Sequence, residues 1–511
     1  MTTKTFTHPD LGADGLTALL AKAGFDVGPP AAVRRTVLDT FDGRLHGAGL
    51  QLEVREVKGR ELVLADRSTT ARAAVSAVPS WAADLPDGPL RARLAPILDI
   101  RALLPLLTVS ARRTVAVRRD RAGKTQVGIV VDDQLTVGGT DVVPPGWVVA
   151  VDELEGYSRA ARQARALLVS LGMRPCDADV VDLAAATARV DLGGVSGSPT
   201  VPLDSSEPAA DGFRRVLANL ADAVDANWAG TVEDIDTEFL HDLRVAVRRT
   251  RSVLAEARRV VPTEDRSRFR AGFGWLGSAT GPARDFDVYV LEWAGYIEPL
   301  GPGAAGVLQP VLEHIAERRR VEHVALAEVL RSDRYRDLMT GWRGWLDARW
   351  AGTAGRDAGR AVGRVVATRV AAAQKQLLAR GRAIAPSSPA EDLHELRKDA
   401  KKLRYLLECF GGLLPAAPRK AFVQRLKALQ DNLGEYQDTE VHSAQLRGIS
   451  RELHDNAGIG ADTLLAMGQL TEHFERRRQA ARHEFAARFA AYDDKKTRQA
   501  LEALLQSAVS R

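Results

Sequence analysis

Cysteine is nearly missing from this chain: among 511 residues only Cys176 and Cys409 occur, far apart. That excludes a disulfide framework and any Cys-based metal spacing, and it suits a reducing compartment. No apolar run reaches 18 residues, so no membrane-crossing helix is expected. The start, "MTTKTFTHPD", lacks the charged-then-apolar order of a secretory signal, and a cytoplasmic protein is expected. Excess charge of one sign is also small: 71 Lys+Arg against 66 Asp+Glu leave +5, so any polyanion site must arise from clustering. Aromatic residues are 5%, which leaves little for stacking on nucleic-acid bases. What is present is 45% hydrophobic and 27% charged, the composition of a folded soluble protein, in a chain too long for one core.

The stretch "LGGVSGSPTVPLDSSEPAA", 192–210, breaks every hydrophobic period with Gly, Ser and Pro and is expected to be a linker. Before it, alternating runs such as "LQLEVREV", "TQVGIVVDD" and "WVVAVDELE" predict strands, with helices at about 14–24 and 158–172. After it the strand signals fade and Ala, Leu, Arg and Glu recur at helical spacing. The expected organisation is an α+β domain over 1–191 and an all-α domain over 211–507.

The helical part is duplicated. "HDLRVAVRRTR" at 241–251 returns as "HELRKDAKKLR" at 394–404, an offset of 153. The same offset pairs Asp285 and Val288 with Asp438 and Val441. A looser match joins "LEHIAERRR" (312–320) to "TEHFERRR" (471–478), and the Gly-rich "AGTAGRDAG" (351–359) falls where the halves should join.

On a helix, His241, Arg244, Arg248 and Arg251 share roughly 80° of arc, as do His394, Arg397, Lys401 and Arg404. Leu243, Val247 and Leu254, with Leu396, Ala400 and Leu407 in the second copy, form the opposite, core-facing side. Asp236 should cap the first helix, and Ser388, with Pro389 and Glu391, the second. A basic stripe is ordinarily a solvated face with carboxylate partners at i,i+4. Here no Asp or Glu intervenes within either stripe. Like charges so spaced cost a few tenths of a kcal/mol per pair, so their repetition favours an anionic partner. Arg249 and Lys402 belong to the same basic helices, and Arg318 and Arg476 of the looser match are possible further contacts. The histidines lack a second ligand at i+3 or i+4, which argues against metal. Asp285 and Asp438 are expected to hold an Arg or His of their own repeat.

The helical part closely resembles the CHAD family, the conserved histidine α-helical domain, through its two His-x-Leu-Arg helices and the downstream "RDFDV" and "LGEYQDTEV". The resemblance implies a pseudo-twofold helical bundle with a basic, histidine-lined surface that binds inorganic polyphosphate and places proteins on polyphosphate granules. "VLDTFDGRLHGAGLQLEVRE" (37–56) and the segment from Val149 resemble the CYTH family, an antiparallel β-barrel or tunnel that handles triphosphate with Mg²⁺ or Mn²⁺. The family's opening Glu-x-Glu-x-Lys is replaced by "TKTFTHPD", which leaves Asp132, Asp133, Asp152, Glu153 and Glu155 as donors and Arg112, Arg113 and Arg118 as anion contacts. The resemblance thus implies a degenerate CYTH-like domain, no catalytic residues, no metal and no cofactor. The expected function is polyphosphate binding. The alternatives are a metal-dependent triphosphatase in the N-terminal part and, second, nucleic-acid binding.

Overall fold

Residues that alternate in polarity before 192 form strands, and residues at helical spacing after 208 form helices. The computed structural model describes residues 5–66, 70–195, 201–348, 350 and 355–510. Two compact units result, Met1–Ser196 and Gly197–Arg511.

The first unit is one antiparallel sheet with helices on it. Its strands are β1 (Thr5–Thr7), β2 (Asp26–Val27), β3 (Ala31–Asp39), β4 (Gln51–Glu56), β5 (Arg60–Ala65), β6 (Thr70–Ala74), β7 (Leu104–Arg119), β8 (Thr125–Val137), β9 (Asp141–Val142), β10 (Val148–Glu153) and β11 (Arg174–Cys176). Their order is β11-β1-β10-β8-β7-β3-β4-β5-β6, with β2 on β7 and β9 on β8. The long β7–β8 hairpin turns where Asp120 Oδ1 accepts from the amides of Ala122 and Lys124, with Gly123 at φ 80°, a conformation that favours glycine. The helices are α1 (Ala13–Lys22), α2 (Arg44–Gly47), α3 (Pro89–Leu98), α4 (Ser158–Ser170) and α5 (Val180–Ala188). The two expected from sequence, α1 and α4, bury Leu16, Leu20, Ala161 and Leu168 with Ile129, Val131 and Val149 of the sheet.

The second unit contains α6 (Ala209–Val232), α7 (Thr237–Glu256), α8 (Thr263–Ala279), α9 (Gly281–Ile297), α10 (Ala304–Val307), α11 (Gln309–Arg331), α12 (Asp333–Asp347), α13 (Val362–Ala383), α14 (Ala390–Cys409), α15 (Ala416–Ala457), α16 (Ala461–Tyr492) and α17 (Lys495–Ser510). Adding 153 to the bounds of α7 gives 390–409, the bounds of α14, and adding it to the start of α6 gives 362, the start of α13. Helix α15 spans the counterparts of both α8 and α9. The first repeat breaks at Pro282, which lacks an amide proton and crowds the preceding turn, whereas the second repeat has Glu435 there and continues. One core runs through both repeats, from Phe213 and Leu243 to Leu396, Phe422 and Tyr492. A second joins α9 and α11 to α15 and α16 around Tyr289, Trp293, Ile315, Leu446 and Phe474.

The boundary between the two units falls inside the 192–210 stretch expected as a linker, and its described residues make contacts within each unit. Val195 N–H donates to Phe41, while Val201 and Leu203 pack on the helical core and Ser205 and Glu207 carbonyls accept from Gly363 and Val362. Apolar side chains and backbone groups in this stretch find partners, so they dock; residues 196–200 lie outside the described part. At α14 the N-cap is Pro389 rather than Ser388, whose Oγ instead accepts from the amide of Ala385. Asp236 does cap α7, accepting from the amides of Glu238 and Phe239.

Candidate anion-binding site

Helices α7 and α14 turn their leucines inward: Leu243, Val247, Leu254, Leu396, Ala400 and Leu407 are fully buried. The basic residues divide into two groups. Arg249 of α7 donates to Glu408 of α14 at 2.7 Å, and Lys402 of α14 pairs with Glu256 of α7 at 2.7 Å. These near-reciprocal ion pairs tie the two helices together. Arg404 donates to Glu408 at 2.8 Å and to Gln430 at 3.3 Å. The sequence placed all three among the anion contacts; the structure gives Arg249 and Lys402 a carboxylate from the other helix, which spacing on one helix could not reveal, and gives Arg404 the i,i+4 partner Glu408 on α14 itself.

The second group gathers where the repeats meet. Arg244 donates to Thr280 Oγ1 at 2.9 Å and to the Gly277 carbonyl at 3.2 Å, capping the C-terminal end of α8 exposed by the Pro282 break. Burial, then the charge of Arg248, holds the Arg244 guanidinium down to about 10. Arg248 also acts on Arg284 and Lys401, and its buried Nε has no hydrogen-bond partner. Lys401 has no ion pair among the described residues; burial, then Arg397 and Arg248, lowers its ammonium to about 8. Arg397 reaches Asp438 at 2.8 Å. Asp285, raised by burial but opposed by Arg244 and Arg284, is the equivalent carboxylate of the first repeat. Four residues picked from sequence, Arg244, Arg248, Arg397 and Lys401, therefore converge. Two half-buried cations are left short of negative charge, an arrangement that costs stability unless an anion completes it.

The remaining residues sit elsewhere or do other work. Arg251 is exposed, its Nη1 about a van der Waals contact from where a side chain on Gly277 would begin. His394 Nδ1 lies 2.6 Å from Gln437 Oε1, which orients the ring, and His241 is half-buried one turn before Arg244. Arg318 pairs with Glu452 at 3.1 Å and Arg476 with Glu472 at 3.3 Å, both remote in partner and helix from the cluster. Sequence reading missed Arg284, which has Gln437 at the equivalent position, and the glycine pair Gly281 and Gly434. A Cβ at Gly281 would stand 3.7 Å from Arg244 Nη1, and one at Gly434 3.8 Å from Arg397 Nη2, so glycine lets each guanidinium lie near the helix backbone. Their shared 153 offset was the available signal.

In the first unit Asp132, Asp133, Glu53 and Glu153 are paired with arginine, while Asp152 and Glu155 are exposed. Asp132 accepts from Arg35 at 2.5 Å and from Arg113 at 2.7 and 2.8 Å, with Arg35, Glu53 and Asp132 all buried. Asp133 holds Arg112, Glu53 holds Arg55, and Glu153 holds Arg165. Arg118 donates to the Ala23 carbonyl and lies over the Phe25 ring. None of these three arginines is left for an anion, and a divalent cation would have to displace arginine from its donors. The residues present do not fit the metal that the CYTH resemblance implies. Among the described residues, no group of three or more His, Cys, Asp or Glu could hold a metal ion.

Residues 215–447 match the family model described as the CHAD domain. The helical unit is a CHAD domain. The chain is similar to two uncharacterized proteins from strains of Mycobacterium tuberculosis, each 24% identical over 296 residues, covering 58% of this chain and 56% of the relative. The chain thus spans about half the length of the curated relatives it matches. Among solved structures it resembles the CHAD domain of Ricinus communis (27% identity, TM-score 0.45, 60% of this chain and 96% of that one). PptA from Streptomyces chartreusis (17%, 0.45, 55% and 99%) also matches, as does a putative adenylate cyclase from Bacillus halodurans (14%, 0.26, 34% and 93%). No helix among the described residues is long and apolar enough to cross a membrane.

Proposed function

We propose that the CHAD unit binds inorganic polyphosphate at the Arg244–Arg248–Arg284–Arg397–Lys401 cluster and that this binding places the protein on polyphosphate granules. The observation that carries the reading is the charge imbalance of the cluster: Lys401 and the buried Nε of Arg248 have no partner, and both repeats contribute cations to one place. Phosphoryl oxygens would supply the missing acceptors. Arg offers a planar donor fork to each phosphate, and Lys401 a point charge. The two repeats then grip a linear polyanion from two sides, with His241 and His394 beside them as positioning or further contacts.

Nucleic acid is the weaker occupant. The two repeated segments hold no aromatic residue, and the flanking Phe239 and Tyr405 are buried and offer no face for stacking. A triphosphatase in the first unit is weaker still, because Asp132, Asp133 and Glu153 are paired with arginine. The reading needs no cofactor. The deciding experiment measures binding of the full chain to long polyphosphate, RNA and heparin at matched salt. Preference for polyphosphate, falling steeply with salt, is expected. Equal or tighter binding of RNA, or a flat salt dependence, would overturn it.

A further inference from the structure

The central cluster opens into a second group of unpaired arginines along the seam between α7 and α8. Arg244 reaches Gly277 and Thr280, and Arg251 lies over Gly277. At about 100° per residue, Arg270 and Arg266 of α8 fall within about 20° of the Gly277 line. Arg258 follows the end of α7 and acts electrostatically on Arg266. Beside them a Cβ on Gly274 would meet nothing within 4 Å, so no side chain covers α8 at that position. Among the described residues Arg251, Arg258, Arg266 and Arg270 have no ion pair, and Arg266 Nε is buried without a hydrogen-bond partner. Burial, then Arg270 and Arg258, lowers the Arg266 guanidinium, with no carboxylate opposing them. The local acids are committed or turned outward. Asp265 lies 3.5 Å from Arg268, Asp357 pairs with Arg360 at 3.2 Å, and Glu264 is exposed.

The second repeat differs along the same seam. Adding 153 replaces Arg270 by Val423, packed on the core, and Gly274 by Lys427, paired with Asp431 at 3.4 Å. Gly277 becomes Gln430, which accepts from Arg404, the counterpart of Arg251, itself paired with Glu408. Arg258 becomes Gly411, and Arg266 keeps its charge as Arg419, whose Nε is likewise buried without a hydrogen-bond partner. At this end of the second repeat Arg404 and Lys427 are ion-paired and only Arg419 is not, whereas among the described residues all four arginines of the first repeat lack an ion pair.

We propose that Arg251, Arg258, Arg266 and Arg270 form an outer phosphate subsite of the first repeat, so that a polyphosphate chain leaves the central cluster in one direction along the α7–α8 seam. This rests on the polyphosphate reading above. The span from Arg244 to the end of α7 at Glu256 is twelve residues, about 18 Å at 1.5 Å per residue. A triphosphate fills the centre without reaching the outer group; a long chain engages both.

The test uses the full chain with inorganic triphosphate and with long-chain polyphosphate. Arg258→Gln, Arg266→Gln and Arg270→Gln together should weaken long-chain binding about tenfold or more and flatten its salt slope by roughly two, leaving triphosphate binding unchanged. Arg419→Gln with Lys427→Gln, the mirror change, should leave both within about twofold. Arg270→Gln alone, at an exposed position, covers the case in which the triple variant misfolds, and about a threefold loss for the long chain only is expected. Equal losses for both ligands, no loss for either, or an equal loss in the mirror variant would overturn the outer subsite while the central one stands. Wild-type protein that binds no long-chain polyphosphate would overturn both.

Discussion

Arginine is used in opposite ways in the two units. In the sheet, Arg35, Arg112 and Arg113 meet Asp132 and Asp133 at hydrogen-bonding distance, so each of these guanidinium groups has a carboxylate. In the CHAD unit, Arg244, Arg248, Arg284 and Lys401 crowd one another, with Asp285 and Asp438 as the equivalent acids of the two repeats. The number of cations is similar, so count does not separate a structural network from a binding site. What separates them is whether carboxylates complete the charge. Removing a charge should therefore have opposite consequences in the two places.

The largest effect is expected from charge reversal at the centre. Arg244→Glu with Arg397→Glu puts two carboxylates beside Asp285 and Asp438 and should cost at least about 100-fold in polyphosphate affinity while helical content by circular dichroism is kept. Wild-type affinity in this variant would remove the proposed site.

Next comes the direct contrast in stability. Asp132→Asn leaves Arg35 and Arg113 facing a neutral group in a buried place, and a loss of about 3–5 kcal/mol in urea unfolding is expected, with polyphosphate affinity unchanged. Lys401→Met removes a half-buried cation that has no ion pair among the described residues, so it should stabilise the chain by about 1 kcal/mol while weakening polyphosphate binding. Destabilisation by Lys401→Met would mean that its ammonium already has a partner, and the contrast between the units would fail.

The same lysine sets a pH dependence of smaller size. Its folded value near 8 lies below the ordinary 10.5, so between these limits the unfolded chain binds more protons. Stability of the free protein should then rise with pH above about 8. Bound phosphate favours the ammonium, so affinity should fall over the same range, the opposite slope. Lys401→Met should remove both trends; His241→Gln with His394→Gln should leave them. A fall in affinity that vanishes with the histidines would assign the titration to them instead.

Much of this was legible in the sequence because it is local or repeated. The 153 offset identified α7 and α14 as equivalent helices, and their inward leucines and the Asp236 cap were also expected from the sequence. Long-range pairing was not legible. Glu408 and Glu256 capture Arg249 and Lys402 only because α7 packs on α14, and Arg35 meets Asp132 across 97 residues through the sheet order. A basic stripe read on one helix overestimates the free cations, since neighbouring helices supply acids that the stripe does not show. The reverse error hid Arg284, which reaches the cluster from a different helix.

The smallest effect, close to zero, is expected from divalent metal on the first unit. A bound ion stabilises the folded chain by RT ln(1 + [M]/Kd), so a millimolar excess over a micromolar site would add about 4 kcal/mol. Here Asp132 and Asp133 could serve a metal only by releasing Arg35, Arg113 and Arg112, and Glu153 only by releasing Arg165. Release would strand those guanidinium groups, offsetting most of the gain. Millimolar Mg²⁺ or Mn²⁺ should therefore shift the unfolding midpoint by less than about 1 °C, and the full chain should hydrolyse triphosphate no faster than buffer. Metal-dependent turnover that disappears in Glu153→Gln or Asp132→Asn would show that these arginines yield to the ion, and the arginine pairing of the sheet would then be a resting state of an active site.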